Sequence, residues 1–385
     1  MRQILSLLFL LITNISISFA QSQKVSYYFA AHPDDWQLFM GVNAFKDIAA
    51  ASAGNSKVVL IYTTAGEYNC YNLGVNTPYY LSRQAGANRS VQFCSDIYSP
   101  HATWNTSIVS ISGATNHNIL RSTYKNIVSY YLRLPDGCFE RKNTSISKLA
   151  DHTVRSLEAV DSSTSYRGYE DLVRTVINII DFESNAGQSE VWINASDWDP
   201  LTNLDDHPDH VQTGLLATEA ANRIDYANVA LFEGYHSCTE ASNLAPDEIA
   251  MEAGLQSQLS FGLTDNGWES EWDPQDSCGH VDWATRNYFR VYSTAAKAKV
   301  SNTGLAINPN PIRNTVNLTY KIMEKGPVSI TLFDSYGNLK AILVNENKDI
   351  GIYTINYEAG MLPTGNYIIY ARSSGNLNTL KFMKL

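Results

Sequence analysis

The sequence predicts an α/β protein: a mainly parallel sheet with helices on both faces, followed by a small all-β sandwich. Three observations predict it. From residue 25 to about 297, apolar β-rich runs alternate with segments of helical spacing, the pattern of strand–helix units that stack into one sheet. After about Ala295 the chain turns polar, then continues as short alternating strands separated by turn residues. Two His-Pro-Asp segments stand where a strand hands over to a helix, and that end of an open α/β sheet is where ligands bind.

The first segment of the chain is expected to be removed. Arg2 is a charged n-region, Leu5 to Ile12 is an apolar core, and Ser18-Phe19-Ala20 is a small-residue cleavage site. Residues 1–20 therefore read as a signal peptide, with the exported protein starting near Gln21; a retained anchor is the alternative. The apolar run is too short to span a bilayer and no other segment reaches that length, so no transmembrane segment is expected. The chain has 385 residues, which suggests about two domains. A net charge of −10 argues against nucleic-acid binding through a basic face.

Val25 to Phe29 is the first strand-like run, and Ala30-Ala31-His32-Pro33-Asp34-Asp35 follows it. Leu38, Val42, Phe45 and Ala49 then recur at helical steps. By itself this is equally a turn with a helix N-cap, since Pro and Asp favour both. A second segment changes the balance. Glu190 to Asn194 is strand-like, Asp206-His207-Pro208-Asp209-His210 follows it, and Leu216, Ala220 and Ile224 step by four. Histidine with nearby carboxylates is a metal-ligand set, and buried charge left without a partner is costly. A shared divalent metal satisfies both segments at once. Spacing does not decide whether Asp34 or Asp35 would hold it.

Between and beyond these motifs lie further units. Lys57 to Tyr62 and Ser129 to Leu134 read as strands, Tyr79 to Phe93 as a helix, Leu172 to Ile180 as a helix, and Val229 to Phe232 as a strand. No G-x-G-x-x-G follows the first strand, which disfavours a dinucleotide site. His101, His117 and His152 lie in polar, loop-like sequence and are expected at the surface. His236 and His280 either rim the pocket or are satisfied structural histidines, the second reading being preferred. There are five cysteines, Cys70, Cys94, Cys138, Cys238 and Cys278; export permits one or two bridges, and the odd count leaves at least one unpaired or intermolecular.

The two motifs resemble those of the PIG-L/LmbE family of zinc-dependent de-N-acetylases, which carry A-H-P-D-D near the start and H-P-D-H later. The resemblance covers residues 25 to about 297 and is specific at the two motifs. It implies a Rossmann-like sheet, zinc ligands at His32, Asp35 and His210, a general base at Asp34, and an electrophilic or acid partner at His207, preferably as the imidazolium. It also implies that the turn Thr63-Thr64-Ala65-Gly66-Glu67 lies beside the site, that Arg83 contacts substrate and that Asp136 of Asp136-Gly137 borders a sugar pocket. The acidic residue the family has soon after the arginine is missing, and Arg83 reads otherwise as a solvated helix charge. Asp136 reads otherwise as part of an ordinary turn. Trp36 stands where the family commonly has Glu.

From Asn308-Pro309-Asn310-Pro311 onward the strands resemble the C-terminal sorting domain of type IX secretion substrates. Phe333-Asp334-Ser335-Tyr336-Gly337, Leu362 to Tyr367 and the terminal Leu380 to Leu385 carry that resemblance. An Ig-like binding domain is the alternative. The expected organisation is thus a signal peptide at 1–20, a deacetylase domain at 21–297, a linker at 298–307 and a sorting domain at 308–385. The implied function is hydrolysis of the N-acetyl group of an N-acetylglucosamine-type sugar by a protein exported through the periplasm of a Gram-negative bacterium. It would be secreted or attached to the cell surface, with an N-acetylated glycan and the type IX machinery as partners. A glycan-binding protein with a fossil metal site and another zinc amidohydrolase, such as a peptidoglycan amidase, are the competing readings. The presence of both Asp34 and His207 favours the enzyme.

Overall fold

The structure is a computed structural model. It describes residues 23–384 apart from 69–74, 138–144, 186–188, 225, 273–277, 295–304, 309, 323–324, 335–337 and 374–375. The expected signal peptide, Cys70, Cys138 and most of the expected linker lie outside the described residues.

The chain runs β1 Lys24–Ala30, α1 Asp35–Phe39, α2 Gly41–Ser52, β2 Ser56–Thr64, α3 Tyr79–Asp96, β3 Asn105–Ser112, β4 Asn116–Tyr124 and β5 Ile127–Leu134. After α4 Ile146–Ala150 come the short pair β6 Leu157–Glu158 and β7 Ser165–Tyr166. Next are α5 Tyr169–Ser184, β8 Glu190–Ser196, α6 Pro208–Ile224, β9 Ala227–Phe232, α7 Pro246–Thr264, α8 His280–Trp283 and β10 Phe289–Ser293. The central sheet has the order β10-β9-β8-β1-β2-β5-β4-β3. Its core, β9-β8-β1-β2-β5, is parallel. The edge strands β10, β4 and β3 are antiparallel.

The continuous apolar runs of β1 and β2 are explained by cover on both faces, since a parallel strand buried on two sides has no polar face to show. Val25, Tyr27 and Phe29 share one core cluster with Leu172, Val176, Ile179 and Ile180 of α5 and Leu216 and Ala220 of α6. Tyr28 and Ala30 point the other way, into a cluster with Ile48 of α2, Val91 of α3 and Leu255 of α7. The α5 stripe is a helical period whose large aliphatic side chains each contribute about 1.5–3 kcal/mol when buried. The helix ends at Asn185, which takes the left-handed conformation with φ 54°.

Two edge features were not legible. The hairpin β3–β4 gives no strand signal, because β3 is largely solvent-facing and has no apolar alternation. His117, expected at the surface, is fully buried on β4. Its Nε2 lies 3.0 Å from Asp171 Oδ1, its Nδ1 lies 2.9 Å from Thr164 Oγ1, and its ring stacks on Tyr166. Asp171 also accepts backbone N–H groups of Ala114, Thr115 and Arg167, so the buried polar groups satisfy one another.

The C-terminal strands are β11 Leu305–Asn308, β12 Thr315–Ile322, β13 Gly326–Asp334, β14 Leu339–Lys348, β15 Gly351–Glu358, β16 Gly365–Ser373 and β17 Asn376–Lys384. They form two antiparallel sheets, β11-β12-β15 and β14-β13-β16-β17. Val316, Leu318, Tyr320 and Ile322 of β12 alternate inward, as do Val328, Ile330 and Leu332 of β13, around a third core cluster. Strand β11 begins inside the stretch expected to be linker. No helix among the described residues is long and apolar enough to cross a membrane.

Candidate metal centre

Strand β1 ends at Ala30, and Ala31 to Asp34 turn into the one-turn helix α1. The turn is fastened to β2, where Thr64 donates to Ala31 O through both its backbone N (2.9 Å) and its Oγ1 (2.7 Å). Asp35 then folds back so that its Oδ2 accepts the His32 backbone N–H at 2.7 Å. Helix α6 opens with Pro208 in its first turn, where the missing N–H costs nothing. That opening turn carries His210 to the same place.

Three side-chain atoms converge there. His210 Nε2 lies 3.1 Å from Asp35 Oδ1 and 3.2 Å from His32 Nδ1, and His32 Nδ1 lies 3.4 Å from Asp35 Oδ1. Nitrogen and oxygen ligands held at about 2.0–2.1 Å around a tetrahedral ion are separated by roughly 3.3–3.4 Å, close to these edges. His32 also belongs to wider groups, with His207 and His210, with Asp136, His207 and Asp209, and with Asp34 and Asp35, whose candidate ligand atoms all lie within 4.8 Å of one another.

The outer partners suit a ligand set. His210 Nδ1 is 2.8 Å from Asp206 Oδ1, so a ring that gives up one proton to a metal would keep the other on Nδ1 and present the Nε2 lone pair. His32 Nε2 faces Asp209 Oδ2 at 3.5 Å and Asp136 Oδ2 at 3.7 Å. The carboxylates of Asp34, Asp35, Asp136, Asp206 and Asp209 are largely covered, and Arg83 is the arginine among them. Burial alone would strip the protons from His32 and His210, but for both Asp35 is the strongest opposing influence. Asp209 and Asp136 add to it at His32, Asp206 adds to it at His210, and both rings are held well above the usual imidazole range. Asp209 Oδ1 is buried with no hydrogen-bond partner among the described residues. A site this rich in anionic oxygen and nitrogen lone pairs fits a divalent cation.

All seven residues expected at the site come together, with different neighbours from those expected in two cases. Arg83 is buried, not solvated. Its Nη2 pairs with Asp34 Oδ1, its Nη1 donates to Gly66 O at 3.1 Å, and its Nε lies 3.1 Å from Glu271 Oε1. Glu271, over a hundred residues away in sequence, is thus the second carboxylate beside Arg83. Tyr79 OH also donates to it. Burial chiefly, helped by Asp34 and opposed by Arg83, raises the Glu271 carboxyl. The turn needs glycine at 66: φ is +59°, and a Cβ would come within 2.4 Å of Arg83 Nη1.

Asp136 is likewise drawn in rather than left in a free turn. Its backbone N–H donates to Glu67 Oε2 at 2.9 Å, and the next N–H, of Gly137, donates to Asp209 Oδ2 at 2.7 Å. A Cβ at Gly137 would lie 2.7 Å from Asp209 Oδ1, so this approach requires glycine. His207 Nδ1 accepts the backbone N–H of Asp209 at 3.2 Å, which puts the proton of the neutral ring on Nε2. Burial, then the charges on His32 and His210, push His207 down to about 4. Burial first, then positive charge around the ring, disfavours the imidazolium expected there.

Trp36, the departure from the family pattern, is fully buried and donates from Nε1 to Tyr62 OH at 3.0 Å, so it anchors the core. Sequence reasoning missed Glu271, Asp206 as a histidine partner, and an aromatic wall. Phe39 and Tyr235 pack edge-on to His210 at 5.7 and 5.1 Å, and Trp283 stacks on Tyr235 at 5.0 Å. The Cys238–Cys278 disulfide ties the Tyr235–Thr239 turn to the approach to α8 behind this wall. Cys94 is free and buried. His280 sits between Trp272 and Trp283, while His101 and His152 are exposed as expected.

Comparison with protein-family models gave no match, and neither did comparison with curated proteins. Among solved structures, the chain is similar to PorZ, an essential bacterial surface component of the type-IX secretion system of Porphyromonas gingivalis. Identity there is 17% with a TM-score of 0.18, over 26% of this chain and 14% of that one. Pseudomonas fluorescens alkylpurine DNA glycosylase AlkC, bound to DNA containing an abasic site analog, is 13% identical with a TM-score of 0.16, over 47% of this chain and 60% of that one. An engineered protein is 10% identical with a TM-score of 0.18, over 94% and 93%. The chain thus spans only a small part of PorZ. These TM-scores are too low to transfer a fold or a function.

Proposed function

We propose that this protein is a secreted, zinc-dependent N-deacetylase of the PIG-L/LmbE type, acting on an N-acetylglucosamine-type sugar or glycoconjugate. The reading rests on one observation: His32 Nδ1, Asp35 Oδ1 and His210 Nε2 form a triangle with edges of 3.1–3.4 Å, with Asp34 one residue from a corner. In this reading the central sheet is Rossmann-like and the C-terminal sheets are a β-sandwich for type IX export, with the protein ending outside the cell or on its surface.

His32, Asp35 and His210 would hold the zinc. When bound, the ion supplies Lewis acidity and an acidified water at neutral pH. The remaining work belongs to the chain. Asp34 takes a proton from the attacking water, and Arg83 fixes the carboxylate that does so. His207, neutral with its proton on Nε2, donates a hydrogen bond to the acetyl oxygen as that oxygen gains charge. Asp209 orients the ring through its backbone N–H. Asp34 returns the proton to the nitrogen as the C–N bond breaks, giving acetate and a free amine. Asp136, beside His32, is placed to accept a sugar hydroxyl.

The test is acetate release from N-acetylated glycans by the purified protein with and without zinc. Zinc-dependent release supports the proposal. Glycan binding without release by fully metallated protein replaces it with the binding-protein reading.

A further inference from the structure

A cavity of ≈ 490 Å³ lies on the α2 side of the sheet, against β1, β8, β9 and β10 and beside residues 243–248. That volume is within the usual range of small-ligand sites. Its walls carry the carboxamides of Asn43, Asn194, Asn243 and Asn287 and the half-buried indole of Trp192. Asn287 Nδ2 donates to Asn43 Oδ1 at 2.8 Å, and Asn243 is tied to Asn287 through the backbone at 2.8 and 3.0 Å. Asn287 Oδ1 is covered, with no hydrogen-bond partner among the described residues.

The charges at the rim cancel. Lys24 Nζ pairs with Asp47 at 2.6 Å and Lys46 Nζ pairs with Glu248 at 2.9 Å. A charged ligand therefore finds no unpaired counter-charge, and an apolar one would leave Asn287 Oδ1 without a partner. The polar atoms these bonds leave over, Asn43 Nδ2 as a donor and Asn287 Oδ1 as an acceptor, beside the indole of Trp192 with Lys24 Nζ at 5.8 Å from its centroid, match a neutral polyhydroxylated ring. Trp192 pairs with Ser26 early on β1, whereas His32 follows that strand's end. Four residues of strand, about 13 Å, and then a turn separate them, too far for one ring to touch both.

We propose that this cavity binds a neutral sugar unit and anchors a glycan chain away from the metal centre, so that the substrate is an oligosaccharide rather than a free sugar. The identity of the glycan rests on the deacetylase reading; the cavity's preference for a neutral sugar does not. The test is calorimetric titration of the full chain, as the Asp34→Asn variant so that nothing is consumed, with N-acetylglucosamine and its β-linked tetramer. The tetramer should bind more tightly than the monosaccharide. Trp192→Ala should weaken tetramer binding roughly tenfold or more, as expected for loss of an aromatic anchor, with zinc content unchanged. Because Trp192 also packs on β8, Asn43→Ala on α2 provides an independent variant and should weaken the tetramer severalfold. Failure of the tetramer to bind, or equal binding by both folded variants, overturns the proposal. Acetate release without cavity binding removes this inference and leaves the deacetylase reading standing; cavity binding without acetate release does the reverse.

Discussion

Replacing Asp206 by Asn tests the metal centre without touching any of its three proposed ligands. Asp206 Oδ1 lies 2.8 Å from His210 Nδ1 and accepts the His207 backbone N–H at 2.9 Å, while Oδ2 accepts from Asn203 Nδ2 at 2.6 Å. The asparagine can keep its oxygen on the histidine side. Its amide nitrogen then faces the Asn203 amide, donor against donor, and the negative charge behind His210 is gone. Loss of such an outer partner typically lowers metal affinity about 10–100-fold, or about 1.4–2.8 kcal/mol. With zinc at a hundred times the wild-type Kd, bound metal stabilises the fold by about 2.7 kcal/mol; a hundredfold weaker site leaves about 0.4 kcal/mol. The assay is competition with a chromophoric chelator, paired with thermal melts with and without zinc. The metal-free melt separates damage to the fold from damage to the site. Wild-type affinity in a folded Asp206→Asn protein would refute the assignment of His210 as a ligand held by Asp206.

Asp34→Asn should cut acetate release about 10²–10⁴-fold while zinc content stays near wild type, because the carboxylate acts as the base and Asp35 holds the ion; full activity would remove Asp34 from that role. Opening the Cys238–Cys278 bridge, which spans 40 residues, should cost about 3–4 kcal/mol in denaturant unfolding, and a Cys238→Ser midpoint equal to wild type would show that the loop is already held by packing. Glu233 is pushed up to about 7 by burial, with Glu240 and Asp197 adding to it. Its folded pKa exceeds its unfolded one, so between the two the folded state binds more protons and stability falls as pH rises toward 7. Denaturation midpoints measured from pH 5 to 8 should show this decline, and Glu233→Gln should flatten it; an identical pH slope in the variant would assign the decline to other groups.

Much of the central architecture was legible because its signals are local. The unbroken apolar runs of β1 and β2 and the four-residue steps of α5 and α6 are direct imprints of burial on two faces and on one. The two His-Pro-Asp segments announced themselves because strand-end turns place their residues by short-range geometry. The edges were not legible: β3 shows polar side chains to solvent, and a strand without alternation looks like loop. Nor were the partners of His117 and Arg83. His117 finds Asp171 and Arg83 finds Glu271, each far away along the chain. Such pairs are chosen by which surfaces the sheet brings face to face, and no spacing rule reaches that far. By itself the sequence determined which residue types would stand at the carboxyl ends of β1 and β8. Only the tertiary structure decided that burial pushes His207 below the usual imidazole range and that Arg83 grips Asp34, because burial and charge at a site depend on everything packed around it.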